Sequence, residues 1–310
     1  MRTVFFGTPE LAVPSLECVA RDHEVIAVVC QPDRPKGRGK KFEAPPTKQW
    51  AAAHGIEVYQ PAKLNDGTFE AWLRERAPDV CAIAAYGRLL KQPILDVPPD
   101  GFINMHPSLL PKYRGPSPIQ SALLHGETVT GVTIMRLTLD MDAGDILIQE
   151  TVPIAPEDDG IALTDKLARR GGELLAEGLN RIARNEAKFT PQDDSQATYC
   201  TMFTKEDGRI RWAKPARQIH NLVRAALPWP VAHCRFRNET YRIHAAVVAD
   251  DVSPEAPGTV VRLDKDCIWI ATGKGLIGVT VIQAPGKRAM PVSDYLRGQN
   301  IAAGERFEDL

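Results

Sequence analysis

The sequence predicts an α/β protein in which a doubly wound, mostly parallel sheet is followed by a small β-barrel. Three observations carry the prediction. Short β-branched and apolar runs alternate with amphipathic stretches through the N-terminal part, as they do where helices cover both faces of a parallel sheet. Composition then turns polar from Lys188 to Gly208, with Pro191, Gln192, Asp193, Asp194 and Ser195. Beyond that stretch several short β-rich runs recur between Pro-Gly and Gly punctuation, the pattern of a small barrel.

Taken in order, residues 3–6 form an apolar strand ending at Gly7-Thr8-Pro9, 14–20 a helix, and 25–30 a second, β-branched strand. Further strands fall at 80–84, 101–106, 131–137 and 145–152, and helices at 47–54, 68–75 and 119–125. Leu163, Leu167, Leu174, Leu175 and Leu179 recur at helical spacing, so 161–183 reads as a long helix laid on the sheet despite Gly171-Gly172. After the polar stretch come a helix over 216–226 and strands over 232–236, 240–248, 259–262, 267–271 and 276–283. The expected division is a sheet-bearing part over 1–188, a linker over 189–208 and a barrel part over 209–310.

The chain has 310 residues, 44% hydrophobic and 25% charged, which is ordinary for globular proteins and sets aside disorder and fibrous architectures. No apolar run reaches the roughly 18 residues of a spanning helix, and no signal-peptide pattern precedes the first strand, so a cytoplasmic protein is expected. The six cysteines lie far apart with no Cys-x-x-Cys pair, which points to buried reduced thiols and to no metal or redox cofactor. Net charge is −1, but it is unevenly spread: 209–310 holds 15 Lys and Arg against 10 Asp and Glu, a surplus able to hold a polyanion. Hydride and phosphoryl transfer lose their usual support, because the first strand is followed by Gly7-Thr8-Pro9-Glu10 rather than G-x-G-x-x-G and no Walker sequence occurs.

Chemistry concentrates around Asn104-Met105-His106-Pro107. Alternate residues of a strand share a face, so Asn104 and His106 project together, and Pro107 ends the ladder and leaves the imidazole at the strand's carboxyl edge. The loop from Ser108 to Gly115 mixes apolar and basic residues, and Asp140-Met141-Asp142-Ala143-Gly144-Asp145 forms an acidic turn between two strands. Read separately, the histidine is a structural one and the acidic turn a solvated one. Read together, a carboxamide for a developing oxyanion, an imidazole for a proton and a carboxylate to orient it are the set that moves a carbonyl group onto an amine. Both readings stand at this level.

Arg34, Lys36, Arg38, Lys40 and Lys41 place five positive charges within eight residues, on what reads as an irregular loop. It is either a solvated loop or a contact to RNA phosphates from the edge where the second strand ends. Arg209, Arg211, Lys214, Arg217, Arg224, Lys287 and Arg288 could line a basic groove on the barrel, and Trp229, set between two prolines, reads as a packing anchor.

Asn104-x-His106 with the Ser108–Gly115 loop and the downstream Asp142-Ala143-Gly144 resembles the signature of the folate-dependent formyltransferase family. Phe6-Gly7-Thr8-Pro9, the basic run from Gln31 to Lys41, Ala85-Tyr86-Gly87, Pro118-Ile119-Gln120, Gly131–Met135, Pro228-Trp229-Pro230 and Ala256–Thr259 extend the resemblance over essentially the whole chain. It implies a Rossmann-like formyltransferase fold with an OB-like C-terminal barrel, serving translation initiation. It further implies transfer of the formyl group of 10-formyltetrahydrofolate, without a metal, to the free α-amine of initiator methionyl-tRNA. By that resemblance Asn104, His106 and Asp142 are catalytic, and Ser108, Leu109, Leu110 and Pro111 line the folate site. Arg38, Lys40 and Lys41 face the tRNA, and the expected state is a monomer. The nearest rival is a formyltransferase acting on a small amine, such as an amino sugar nucleotide or glycinamide ribonucleotide; it should lack the basic 34–41 segment and this second domain. A noncatalytic RNA-binding protein would have no need of the trio.

Overall fold

A computed structural model describes residues 1–36, 41–64 and 66–310. The chain forms two units, one of Met1–Pro118, Val129–Pro153 and Thr164–Thr201, the other of Ile119–Thr128, Ile154–Leu163 and Met202–Leu310.

The elements through the first sheet are β1 (Arg2–Gly7), α1 (Val13–Asp22), β2 (Glu24–Val29), β3 (Arg34–Lys36), β4 (Lys41–Glu43), α2 (Pro46–Ala53) and β5 (Glu57–Tyr59). They continue with α3 (Thr68–Arg76), β6 (Val80–Ala84), α4 (Gln92–Leu95), β7 (Phe102–His106), α5 (Pro118–His125), β8 (Val129–Arg136), β9 (Ile146–Pro153) and α6 (Gly160–Ala183). Strand order is β5-β2-β1-β6-β7-β8-β9. The strands from β5 to β7 are parallel, and β8 and β9 add an antiparallel edge. The chain reverses its direction of travel across the sheet between β1 and β6, and such a reversal opens a crevice at the carboxyl ends of the strands.

Register explains the two faces. Val4 pairs with Cys81 and Phe6 with Ile83, and these pair onward with Phe102 and Asn104. Val4, Phe6, Cys81, Ile83 and Phe102 bury with Phe69 and Leu73 of α3 and Ile94 and Leu95 of α4. Phe6 is met edge-on by Tyr86 and Phe102 at 5.4 and 5.3 Å. On the opposite face α6 comes down on Met105, and Gly172 lies against the Pro14 carbonyl of α1. Asn104 and His106 therefore project from the α3–α4 face, away from α1 and α6.

Residues 34–41 do not form an irregular loop throughout: β3 and β4 pair antiparallel, with Arg34 opposite Glu43 and Pro35 opposite Phe42. Both strands are three residues long, too short for a periodicity to register, and the same holds for β5. Within the polar stretch, Thr190 exchanges backbone hydrogen bonds with Ile146 at 2.8 and 2.9 Å, while Thr198 and Cys200 bond the backbone of Arg114. Polar contacts, not apolar burial, hold this segment to the first unit. All six cysteines are free; five are buried and Cys18, on α1, is partly exposed.

The second unit contains α7 (Ala216–Ala225), β10 (Ala232–Phe236), β11 (Glu239–Ala249), β12 (Val260–Leu263) and β13 (Ile268–Ala271), then β14 (Leu276–Gln283), β15 (Met290–Pro291), α8 (Val292–Gly298) and β16 (Phe307–Glu308). Its sheet runs β12-β13-β14-β11-β10-β16, an antiparallel, OB-like curled arrangement. Register breaks around Ala245 bend β11, as bulges do. Arg237 and Asn238 both take positive φ, the conformation a two-residue hairpin turn requires between β10 and β11. Ile219, Leu222 and Val223 of α7 fill the interior with Phe236, Ile243, Ile268, Ile277 and Phe307. Trp229 does not join them. It is 56% exposed, so the packing-anchor reading is wrong; Trp212, Phe236, Tyr241 and Phe307 take the interior aromatic places.

Candidate active site

β7 brings Asn104 and His106 to the carboxyl edge of the sheet, where both are buried, and the chain then folds back over them. Nε2 of His106 lies 3.0 Å from the carbonyl oxygen of Tyr113. A carbonyl only accepts, so Nε2 carries the hydrogen and Nδ1 is the nitrogen left for chemistry. Nδ1 faces Oδ2 of Asp142 at 3.7 Å, with only 6% and 16% of the two side chains exposed. That separation is too long for a hydrogen bond, so the carboxylate acts on the ring through its charge. Asn104 lies one pleat back on the same face, and its carboxamide makes no hydrogen bond among the described residues. The structure thus unites His106 with Asp142 and sets Asn104 beside them on the strand.

Asp142 is held in a left-handed backbone conformation, φ +51°, and its Oδ2 also accepts the Gly115 N–H at 2.8 Å. Gly115 has φ +121°, and a Cβ there would stand 2.3 Å from the Cys200 carbonyl oxygen, so only glycine can present that N–H.

The Ser108–Pro111 stretch is anchored by residues that no sequence motif exposes. In register, His106 opposes Thr133 and Thr133 opposes Gln149. The Thr133 hydroxyl donates to the Ser108 carbonyl at 2.7 Å and accepts from the Leu110 N–H at 3.2 Å. Gln149 Nε2 donates to the Leu110 carbonyl and to Thr133 Oγ1 at 2.8 and 2.9 Å. Ser108 turns its hydroxyl inward to the Lys112 carbonyl, 2.7 Å away, which leaves Leu109 and Pro111 as the partly exposed surface of this stretch.

A cavity of about 400 Å³ opens at the carboxyl ends of β1, β2 and β6, lined by Thr8, Gln31, Arg34, Glu43 and Ala85 with several prolines. Gln31 Nε2 donates to the Tyr86 carbonyl at 2.8 Å, and Arg34 donates to Gln31 Oε1. Below it Lys48 pairs with Asp33 at 2.8 Å; with Gln60 it holds the Asp33 carboxyl below the usual carboxylate range. Burial pushes the Tyr86 phenol up to about 12 and the Cys30 thiol up to about 11, so both stay protonated at neutral pH. Among the described residues no cluster of His, Cys, Asp and Glu could hold a metal ion.

Of the basic residues, Arg38 and Lys40 lie outside the described residues, as does the Lys41 side chain. Three of the seven cations expected to line the barrel groove have partners within the second unit. Arg209 pairs with Glu206 at 3.6 Å, Arg211 with Asp309 at 3.4 Å, and Arg224 donates to the Asp158 carbonyl at 3.0 Å. Arg235 and Arg242, which the sequence did not single out, are exposed on β10 and β11. Strand alternation was the signal available.

A carboxamide, an imidazole and a carboxylate at the open edge of a parallel α/β sheet are groups able to stabilise an oxyanion and to move a proton, the chemistry of a group transferase. A formyl transferase domain matches residues 1–179 and a formyl transferase C-terminal domain residues 202–300. The chain belongs to the formyl transferase family. Full-length relatives include the methionyl-tRNA formyltransferase of Acetivibrio thermocellus, 44% identical over 98% of this chain and 99% of that one. That of Thermobifida fusca is 42% identical over 100% of both. Among solved structures, an N-formyltransferase from Helicobacter canadensis, in complex with folinic acid and dTDP-3-aminofucose, shares the fold with a TM-score of 0.70 at 21% identity. It spans 90% of this chain and 98% of its own. A sugar 3N-formyl transferase crystallised with dTDP and 5-N-formyl-THF has a TM-score of 0.69 at 19% identity, over 93% and 99%.

Proposed function

We propose that this enzyme transfers the formyl group of 10-formyltetrahydrofolate to the free α-amine of initiator methionyl-tRNA, yielding N-formylmethionyl-tRNA and tetrahydrofolate. The observation that carries the reading is the approach of His106 Nδ1 to Asp142 Oδ2 at 3.7 Å beneath a strand face shared with Asn104. Membership of a family whose full-length relatives act on methionyl-tRNA selects the acceptor.

The folate supplies the formyl carbon. The partly exposed Leu109 and Pro111 side chains suit its flat ring system, and the Thr133–Gln149 anchors keep that wall in place. As the α-amine attacks, Asn104 donates its amide hydrogen to the oxygen gaining negative charge. His106 takes the ammonium proton on Nδ1 while Asp142 stabilises the imidazolium, and the proton passes to the folate nitrogen as its bond to the formyl carbon breaks and tetrahydrofolate leaves. The proline-lined cavity receives the aminoacyl end, with Arg38, Lys40 and Lys41 on the adjoining segment meeting its phosphates. The reading keeps a catalytic part over 1–188, a connection over 189–208 and a tRNA-binding barrel over 209–310, acting as a cytoplasmic monomer; among the described residues, no helix is long and apolar enough to cross a membrane.

The test offers 10-formyltetrahydrofolate together with initiator methionyl-tRNA, an elongator methionyl-tRNA, glycinamide ribonucleotide or an amino sugar nucleotide. Formylation of the initiator species is expected. Formylation of a small amine with none of either tRNA overturns the acceptor assignment. His106→Ala should lower turnover on the order of 10²-fold or more while folate binding stays the same.

A further inference from the structure

Gln192 lies in the polar stretch, without a role in the reaction as described so far. Its Nε2 is 2.8 Å from the carbonyl oxygens of both Asp142 and Gly144. Its Oε1 accepts from Nε and Nη2 of Arg114 at 3.1 and 2.8 Å. An amide nitrogen has two hydrogens and a guanidinium has only donors, so the orientation of this carboxamide is fixed by its partners and both of its hydrogens are spent on the acidic turn. Arg114 is 3% exposed and is itself held, through Nη2, by Asp194 Oδ1 at 2.6 Å.

The turn needs such a restraint. Asp142 has a left-handed backbone at φ +51°, which a non-glycine residue keeps only when its surroundings impose it. Gly144 approaches so closely that a Cβ would stand 1.7 Å from the Arg136 carbonyl oxygen. The two carbonyls flanking Ala143 are therefore set by Gln192, and the Asp142 side chain is aimed from there at Gly115 and His106.

We infer that Gln192, braced by Arg114, is a positioning residue that sets the backbone of Asp142 so that its carboxylate faces His106. This rests on the reading in which Asp142 is catalytic. Gln192 acts only through Asp142 and touches neither substrate. Glutamate at this position would keep the shape and the Arg114 contact but place an oxygen without hydrogens against two carbonyls.

The test is a double-mutant cycle on the full chain with Gln192→Glu, Asp142→Asn and the double variant, assayed for formylation of initiator methionyl-tRNA. Gln192→Glu alone should lower kcat by about 30-fold, with KM for both substrates within about threefold. In the Asp142→Asn background it should cost less than about threefold more, because the group it positions is already disabled. Losses that multiply, a wild-type kcat for Gln192→Glu, or an effect confined to KM would each overturn the inference. If Gln192→Glu melts more than about 5 °C below the wild type, Gln192→Met takes its place in the same cycle under the same criteria. Failure of the parent reading looks different: wild type forming no formylated tRNA removes the acceptor assignment, and Asp142→Asn turning over at the wild-type rate removes the catalytic aspartate and this inference with it.

Discussion

Thr133 stands directly opposite His106 in the β7–β8 register and donates its hydroxyl hydrogen to the Ser108 carbonyl at 2.7 Å. It accepts from Leu110 and Gln149 as well, so one hydroxyl with one hydrogen and two lone pairs is fully used. Thr133→Val keeps the shape and strands these partners in a buried place. Stability should fall by about 2–3 kcal/mol, and KM for the formyl donor should rise more than kcat falls. Urea unfolding with steady-state kinetics checks both, and an unchanged KM would detach the Ser108–Pro111 stretch from donor binding.

The adjacent glycines of α6 should respond unequally to alanine. A Cβ on Gly171 meets the Met105 side chain at 2.9 Å, which a flexible thioether can relieve, and helix propensity gains about 1 kcal/mol; the net change should be close to zero. A Cβ on Gly172 meets backbone, the Pro14 carbonyl oxygen at 2.7 Å and its carbon at 2.9 Å. Gly172→Ala should destabilise by about 1–3 kcal/mol. Equal effects in chemical denaturation would show that α1 shifts freely.

Much of this arrangement is legible in sequence. Leucines at helical spacing locate α6, and apolar runs locate β1, β2, β6 and β7, because burial imposes a period. Asn104 and His106 share a face by strand alternation alone, and Pro107 marks the edge. What stays hidden is long-range and polar. Gln192 and Thr133 look like ordinary polar residues until pairing puts one beneath Asp142 and the other beside Ser108. Trp229 misleads because a tryptophan between prolines carries no information on which interior places are already filled.

Acidification should weaken the second unit through His220. Burial, assisted by the neighbouring Arg224 and Arg217 charges, lowers its pKa from 6.5 to about 4. The unfolded chain therefore binds this proton first: the stability is whole above pH 6.5 and is lost as pH falls from there toward 4. Because the ring is only partly buried, the discounted effect is about 1–2 kcal/mol. Fluorescence-monitored urea titrations between pH 7 and 5 should show His220→Phe with a flatter pH dependence than the wild type; parallel curves would refute the assignment.

Arg38→Ala should raise KM for charged tRNA at least about tenfold and leave folate binding within about twofold, with a shallower dependence of tRNA binding on salt. Filter binding across a salt series and folate fluorescence titration separate the two. Equal losses would indicate damage to the fold.

The cysteine pattern has a practical outcome. Cys18 alone is partly open, and it rides on α1, which packs with α6 on the Met105 face of the sheet, turned away from Asn104 and His106. Buried Cys30 and Cys267 have thiols raised to about 11, while Cys81 and Cys234 are fully enclosed. A maleimide dye applied briefly to the native enzyme would thus mark one helix on the far face of the first sheet, giving a single-site optical reporter that leaves turnover intact.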